Sequence, residues 1–229
     1  MDNENTDKKF KIFIANLLGI YINDIIKMFL HETYSVDVRS KKPGIFAHAI
    51  MFWCWLIRPR LWFKSWKTRH HHCAGVEIWE IMFFEEGYFL SKKKTIKIAI
   101  SYDAQLKYER NVFKKWIANY NIINISNTTK TLNIYSEKKR LMVHNEHESL
   151  VGANYGKNSI LGIIIHDTTK AILIGIDGKE KVICSESEMW AHQHFLPIKP
   201  DEPFDLIDVI ERGYYIPMKK YNNELNQFM

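Results

Sequence analysis

Residues 70–84, "HHHCAGVEIWEIMFF", set the strongest limit on what this chain can build. The stretch holds no proline and reads as a strand entering a sheet. Successive side chains on a strand point to opposite faces. His72, Ala74 and Val76 therefore share one face, and His71, Cys73, Gly75 and Glu77 share the other if no bulge intervenes. The fold around this strand has to accommodate imidazoles, a thiol and carboxylates on a rigid element.

The flanking pattern mixes helices and strands in no repeating order, which suggests an α+β fold. Phe13, Ile14, Leu17, Leu18, Tyr21, Ile25, Met28 and Phe29 fall near helical spacing, so residues 9–30 are expected to form an amphipathic helix. Residues 34–40 alternate as a strand that Pro43-Gly44 ends. Residues 45–57 resemble a buried helix. A hairpin turn is expected at Gly87, a second alternating strand over 94–101, and a helix over 103–119. The segments 130–136 and 139–144 suit a strand, or a strand and the start of a helix. These readings divide the chain into a helical extension, 1–33, and a main domain, 34–229.

The balance of 46% apolar and 25% charged residues is that of an ordinary globular chain, and 229 residues can bury a sizeable core. The net charge of +6 is compatible with an anionic partner but does not specify one. Three cysteines form too sparse and odd a set for a disulfide framework and point to a reducing compartment. The N-terminal stretch loosely mimics a secretory signal, but it starts acidic and shows no small-residue cleavage site, so a cytoplasmic protein is expected. The longest apolar run, "GIFAHAIMFWCWLI", falls short of the roughly 18 residues that span a bilayer.

One thiol stands out. In "KVICSESEMW", residues 181–190, Cys184 follows a strand end or turn and precedes acidic, helix-compatible residues. A free cysteine is often a small buried hydrophobe. At a helix N-terminus, however, its pKa falls and thiolate becomes available as a nucleophile. Such a nucleophile needs a base within hydrogen-bond reach and a third group to orient that base. The ten histidines include the cluster His70, His71 and His72, which could supply the base or simply extend the basic surface of Lys67 and Arg69.

Three stretches, "HHCAGVEI", "SLVGANYGKNSILG" and "VICSESEMW", together resemble the circularly permuted papain-like hydrolases of the NlpC superfamily. That group has bacterial, phage and poxvirus branches and is related to lecithin:retinol acyltransferase. The likeness runs over residues 34–210 and includes "PDEPFDL", residues 200–206, as the trailing segment. It implies an antiparallel sheet packed on helices, with the histidine strand preceding the nucleophile helix. It also implies Cys184 as nucleophile, His72 as base with His71 as the alternative, and Glu77 as the orienting group, with Glu85 or Glu86 as substitutes. Gly152, Tyr155 and Ser185 fall on the positions that would line the substrate. Tyr155 can equally be a packing residue, and Cys73 a core thiol. The implied chemistry is attack on the carbonyl of a peptide, isopeptide or lipid ester, with no cofactor.

Zinc is not expected, because four consecutive residues, His70 to Cys73, cannot wrap one ion. Residues 58–69 interleave Arg58, Arg60, Lys64, Lys67 and Arg69 with Trp62 and Trp66. They could pack as a loop, sit at a membrane surface together with the N-terminal helix, or contact nucleic-acid phosphates. Of the partner surfaces, the membrane is preferred over nucleic acid. Two rivals to the enzyme remain: an inactive binding module on the same fold, and a basic membrane- or nucleic-acid-binding protein.

Overall fold

A computed structural model describes residues 3–57, 72–87, 91–156 and 178–196, with 225, 227 and 228. His70, His71, Trp62, Trp66 and the segment 200–206 lie outside the described residues. Helix α1 (Asn3–Leu18) precedes the long strand β1 (Ile25–Ser40) and helix α2 (Ile45–Ile57). Strands β2 (His72–Glu85), β3 (Lys92–Ala104) and β4 (Tyr108–Val112) follow. Then come α3 (Phe113–Ile117), β5 (Tyr120–Asn127), α4 (Thr128–Thr131) and α5 (Glu137–Leu150). The two-residue strands β6 (Asn154–Tyr155) and β7 (Lys181–Val182) lead to α6 (Cys184–Ala191).

The α+β expectation holds. Five strands form one sheet in the order β4-β3-β2-β1-β5, and every neighbouring pair is antiparallel. The histidine strand β2 is the middle strand, as its apolar run requires. Two cores flank it. On one face Trp79, Ile81, Phe83, Ile100 and Tyr102 pack with Phe10, Ile14 and Ala15 of α1 and with Leu150 of α5. On the other, Tyr34, Val36, Val38, Ala74, Val76 and Ile78 pack on Phe113, Trp116 and Ile117 of α3. Leu30 faces the first core and Tyr34 the second, although both positions are even. The register shift between Leu30 and Glu32 inserts a residue and reverses the facing of the strand beyond it.

Several local expectations are corrected. The first helix stops at Leu18, because Gly19 adopts φ +67 and the Ile20 N–H turns back to the Ala15 carbonyl at 3.1 Å. This left-handed step ends helices and favours glycine. Residues 25–30 then join β1, so a boundary at 33 falls inside that strand. Phe10 and Ile14 are buried against Trp79, which makes α1 part of the core. Residues 103–119 hold a strand end, β4 and only a short helix. Residues 130–136 hold the end of α4 and a turn rather than a strand, whereas 139–144 lie in α5, the helical alternative of the sequence. Helix α2 forms where expected but is not buried: Ile45, Phe52 and Leu56 are exposed.

Candidate active site

Cys184 is the first residue of α6, as the sequence suggests. Ile183 precedes it in extended geometry, and the Ile183 N–H donates to the Glu186 carboxylate at 3.0 Å. The glutamate of "CSE" thus reaches back to satisfy a backbone donor ahead of the first turn. The helical ladder begins with Ser187 N–H donating to the Ile183 carbonyl at 2.9 Å. The N–H groups of Cys184 and Ser185 lie ahead of that ladder, at the positive end of the helix.

The short parallel pair β6–β7 sets Asn154 against Lys181 and Tyr155 against Val182, two residues before Cys184. Gly156 N–H donates to the Val182 carbonyl at 3.1 Å. The turn before β6 needs Gly152 at φ +97, where a side chain would be strained, and its N–H donates to the Tyr108 carbonyl at 2.9 Å. The structure therefore joins the "VGANYG" turn to the strand that delivers the thiol. Tyr155 lies close enough to feel the Cys184 charge, and burial and that charge together push its hydroxyl pKa up. Ser185 belongs to α6, but its side chain lies outside the described residues.

His72 opens β2, opposite Val38 of β1 and beside Cys73. At this end of the sheet the N-terminus of α6 brings Cys184 next to both Cys73 and His72. The imidazole Nε2 lies 3.0 Å from Asp103 Oδ2. With Nε2 so engaged, Nδ1 is the nitrogen left for the thiol. The ring stacks on Tyr120, with centroids 5.6 Å apart and planes 23° from parallel. Both His72 and Asp103 are buried.

Asp103 is itself held by several donors. Its Oδ2 accepts from Trp116 Nε1 at 2.7 Å and from Gln105 Nε2 at 3.1 Å. Gln105 also donates to the Tyr120 hydroxyl at 2.9 Å. Burial together with the Asp103 charge pushes that hydroxyl up to about 12. A carboxylate fixed by so many partners orients a ring rather than wandering around it.

The electrostatics favour separated charges. Burial opposes a charged His72, but the hydrogen bonds and charges of Asp103 and Cys184 raise its pKa from 6.5 to about 10. The Cys184 pKa is held well below 9.0, first by a hydrogen bond from the Cys73 thiol, against the opposing effect of burial, then by His72 and the Cys73 backbone N–H. The Cys73 thiol moves the other way, pushed up by burial and by its charged neighbour. Both shifts favour a thiolate at Cys184 and an imidazolium at His72.

The structure does not bring Glu77 to the His72 ring. Its Oε2 lies 2.9 Å from His144 Nδ1 and accepts from Trp79 Nε1 at 2.8 Å, on the face of β2 opposite the His72 ring. Strand parity dictates this, since five positions separate the two residues. Asp103 stands where Glu77 was expected. Glu85 pairs with Lys94 on the exposed end of the β2–β3 hairpin, and Glu86 is exposed there. Asp103 had a usable signal, being a lone acid on an alternating strand that antiparallel pairing sets opposite Ala74, two positions from His72.

A second buried polar network, absent from the sequence reading, lies under α5 and α6. Tyr102 donates to Glu148 at 3.0 Å, Tyr108 Oη sits 2.6 Å from His147 Nδ1, and Arg110 pairs with Glu148. Burial and two neighbouring histidines press the His147 pKa well below 6.5. Burial raises that of Glu188, one helical turn below Cys184. Among the described residues no cluster of three or more histidines, cysteines or acids is arranged to hold a metal ion. Set against family models, curated proteins and solved structures, the chain has no match.

Proposed function

We propose that this protein is a cysteine hydrolase or acyl-transfer enzyme with a circularly permuted papain-like fold, using Cys184, His72 and Asp103. The observation that carries the reading is a thiol on the first residue of a helix, beside a histidine whose far nitrogen is fixed by a buried aspartate 3.0 Å away. A structural cysteine needs none of these features. The chain order, histidine strand before cysteine helix, supports the permuted form.

The chemistry follows from the groups. The Cys184 thiolate attacks the carbonyl carbon of an amide, ester or thioester. The N–H groups of Cys184 and Ser185 face the region where negative charge develops on the carbonyl oxygen. The carbonyl re-forms as the bond to the leaving group breaks, and the His72 imidazolium gives its proton to the departing amine, alcohol or thiol. An acyl thioester remains on Cys184. Neutral His72 then takes a proton from water, or from an acceptor alcohol or amine, which attacks the thioester and releases the acid or transferred product. Asp103 keeps the ring oriented and stabilises its charge throughout. Tyr155 and the Gly152 turn line the approach to the thiol. The substrate class is a peptide, isopeptide or lipid ester, and no cofactor takes part.

The test is turnover across short acyl esters, stem peptides and isopeptide-linked conjugates, with mass spectrometry of the acyl-enzyme. Wild type should process at least one class and carry the acyl group on Cys184. Activity that survives Cys184→Ala, or an acyl group on Cys73 instead, would overturn the assignment.

A further inference from the structure

We infer that helix α2 is a membrane-surface element that lies in the headgroup region of an anionic lipid bilayer. The helix spans Ile45–Ile57 and contains no Asp, Glu, Lys or Arg. Ile45, Phe52 and Leu56 are exposed at 91%, 51% and 45%, and Ala49 is exposed between them. These positions, i, i+4, i+7 and i+11, form one stripe along the helix. Only Met51 of its described side chains is fully buried. A surface helix on a water-soluble face carries charged residues along its exposed side. This one presents aliphatic and aromatic groups instead, with His48 the one exposed polar side chain among those described.

Charge and length identify the occupant. Lys41 and Lys42 are exposed just before the helix, at the end where its dipole is also positive, and Arg58 and Arg60 follow Ile57 directly in sequence. A helix without charged residues, preceded by exposed lysines, matches a bilayer surface, where apolar side chains enter the acyl boundary and cations meet lipid phosphates. Thirteen residues make a helix about 20 Å long, against a hydrocarbon core of about 30 Å, so it lies in the interface rather than crossing. Among the described residues no helix is long and apolar enough to cross a membrane. Pairing of two copies in parallel through the same stripe would bring their lysine ends together. The helix α1, which the sequence marked for this role, buries its apolar face on the sheet.

The topology ties this surface to the thiol site. Helix α2 is inserted between β1 and β2, and the residues flanking the insertion, Val38 and His72, are paired across the sheet. The docking does not depend on the catalytic reading, and Cys184→Ala should bind membranes as wild type does.

The experiment is co-sedimentation of the full chain with vesicles of phosphatidylcholine alone and of phosphatidylcholine containing phosphatidylserine. Wild type should partition onto the phosphatidylserine vesicles and be released by salt. Phe52→Asp with Leu56→Asp should lower the partition coefficient by roughly a hundredfold, since two apolar side chains no longer enter the lipid. Both positions face solvent, so the variant should keep the wild-type circular dichroism. Lys42→Glu, which leaves the apolar stripe unchanged, should weaken binding to phosphatidylserine vesicles alone. Three outcomes would overturn the inference. Wild type could fail to bind either vesicle. Binding could persist undiminished in the double variant. Light scattering could show a wild-type dimer that the double variant converts to monomer with no vesicle binding, which would assign the stripe to a second copy.

Discussion

His72 Nε2 and Asp103 Oδ2 lie 3.0 Å apart on neighbouring strands of one sheet, with the Trp116 indole donating to the same oxygen at 2.7 Å. The histidine therefore cannot rotate without breaking a charge-assisted bond inside a buried site. This fixes which imidazole nitrogen is free for chemistry.

The pair predicts the pH range of reactivity. The thiolate requires Cys184 to be ionised, and its pKa lies well below 9.0, while the imidazolium persists until about pH 10. Alkylation by iodoacetamide should thus be fast at neutral pH, with Cys184 modified before Cys73. The rate of acyl transfer should fall on the alkaline side near pH 10. Asp103→Asn removes a charge that raises the histidine pKa, so the alkaline limb should move to lower pH and turnover should drop by roughly 10²-fold or more. An unmoved limb would show that Asp103 does not control the ring.

Cys73 sets the acidity of its neighbour. Its thiol hydrogen bond is the largest influence lowering the Cys184 pKa. Cys73→Ala removes that donor but keeps the backbone N–H and His72. The variant should fold, and its Cys184 should titrate at higher pH, read from the thiolate absorbance or the pH profile of alkylation. Unchanged titration would leave His72 and the helix end as the whole cause.

Gly75 faces the underside of the site. A Cβ built there would lie 2.5 Å from His147 Cε1 and 2.6 Å from Glu188 Oε1, both buried. The Glu188 carboxylate is the tip of a flexible side chain, but it and the His147 ring are both enclosed, so neither has open space to move into. Gly75→Ala should cost about 1–3 kcal/mol by overpacking, seen as a lower denaturation midpoint. It should also disturb turnover, because Glu188 is on the helix that carries Cys184.

Glu77→Gln should act on stability rather than chemistry. Glu77 and His144 are fully buried partners, and the carboxylate and burial oppose each other on the histidine, with the charge winning and its pKa raised above 6.5. A raised folded pKa contributes stability that is complete below pH 6.5 and lost as pH rises through the raised value. The variant should be less stable by about 1–3 kcal/mol below pH 6.5, and the gap from wild type should close at alkaline pH. Turnover at neutral pH should stay near wild type. A selective loss of turnover with intact stability would return Glu77 to the catalytic machinery.

The sequence was most informative where one residue type had one physical meaning. The strand at 72–85 was legible from its length and composition, and Cys184 from its place between a strand end and acidic helix formers. Asp103 was missed because a helix was expected over 103–119, which takes it off the strand that the pairing Gly75↔Tyr102 sets beside β2. Glu77 looked plausible through sequence proximity, although alternation alone turns it away from His72. Residues 25–30 kept helical spacing by coincidence, and only the left-handed Gly19 shows where the helix must end. Helix α2 was read as buried because apolar composition fixes hydrophobicity but not what covers it.

Acid should loosen the protein from beneath the site. Burial lowers the His192 pKa from 6.5 to about 4, while its Nδ1–H donates to the Glu188 carbonyl at 2.9 Å. His147 is its ring neighbour, with centroids 6.2 Å apart, and its pKa is also depressed. A folded pKa below the unfolded one means that the unfolded chain takes up protons which the folded chain refuses. The corresponding stability is complete above pH 6.5 and lost as pH falls toward about 4. Thermal melts should show a falling midpoint over that range. His192→Gln removes one titrating ring but keeps a donor for the carbonyl, so its melting temperature should fall less steeply with acid than that of wild type. An equally steep fall would show that His192 is not among the groups that take up protons on unfolding.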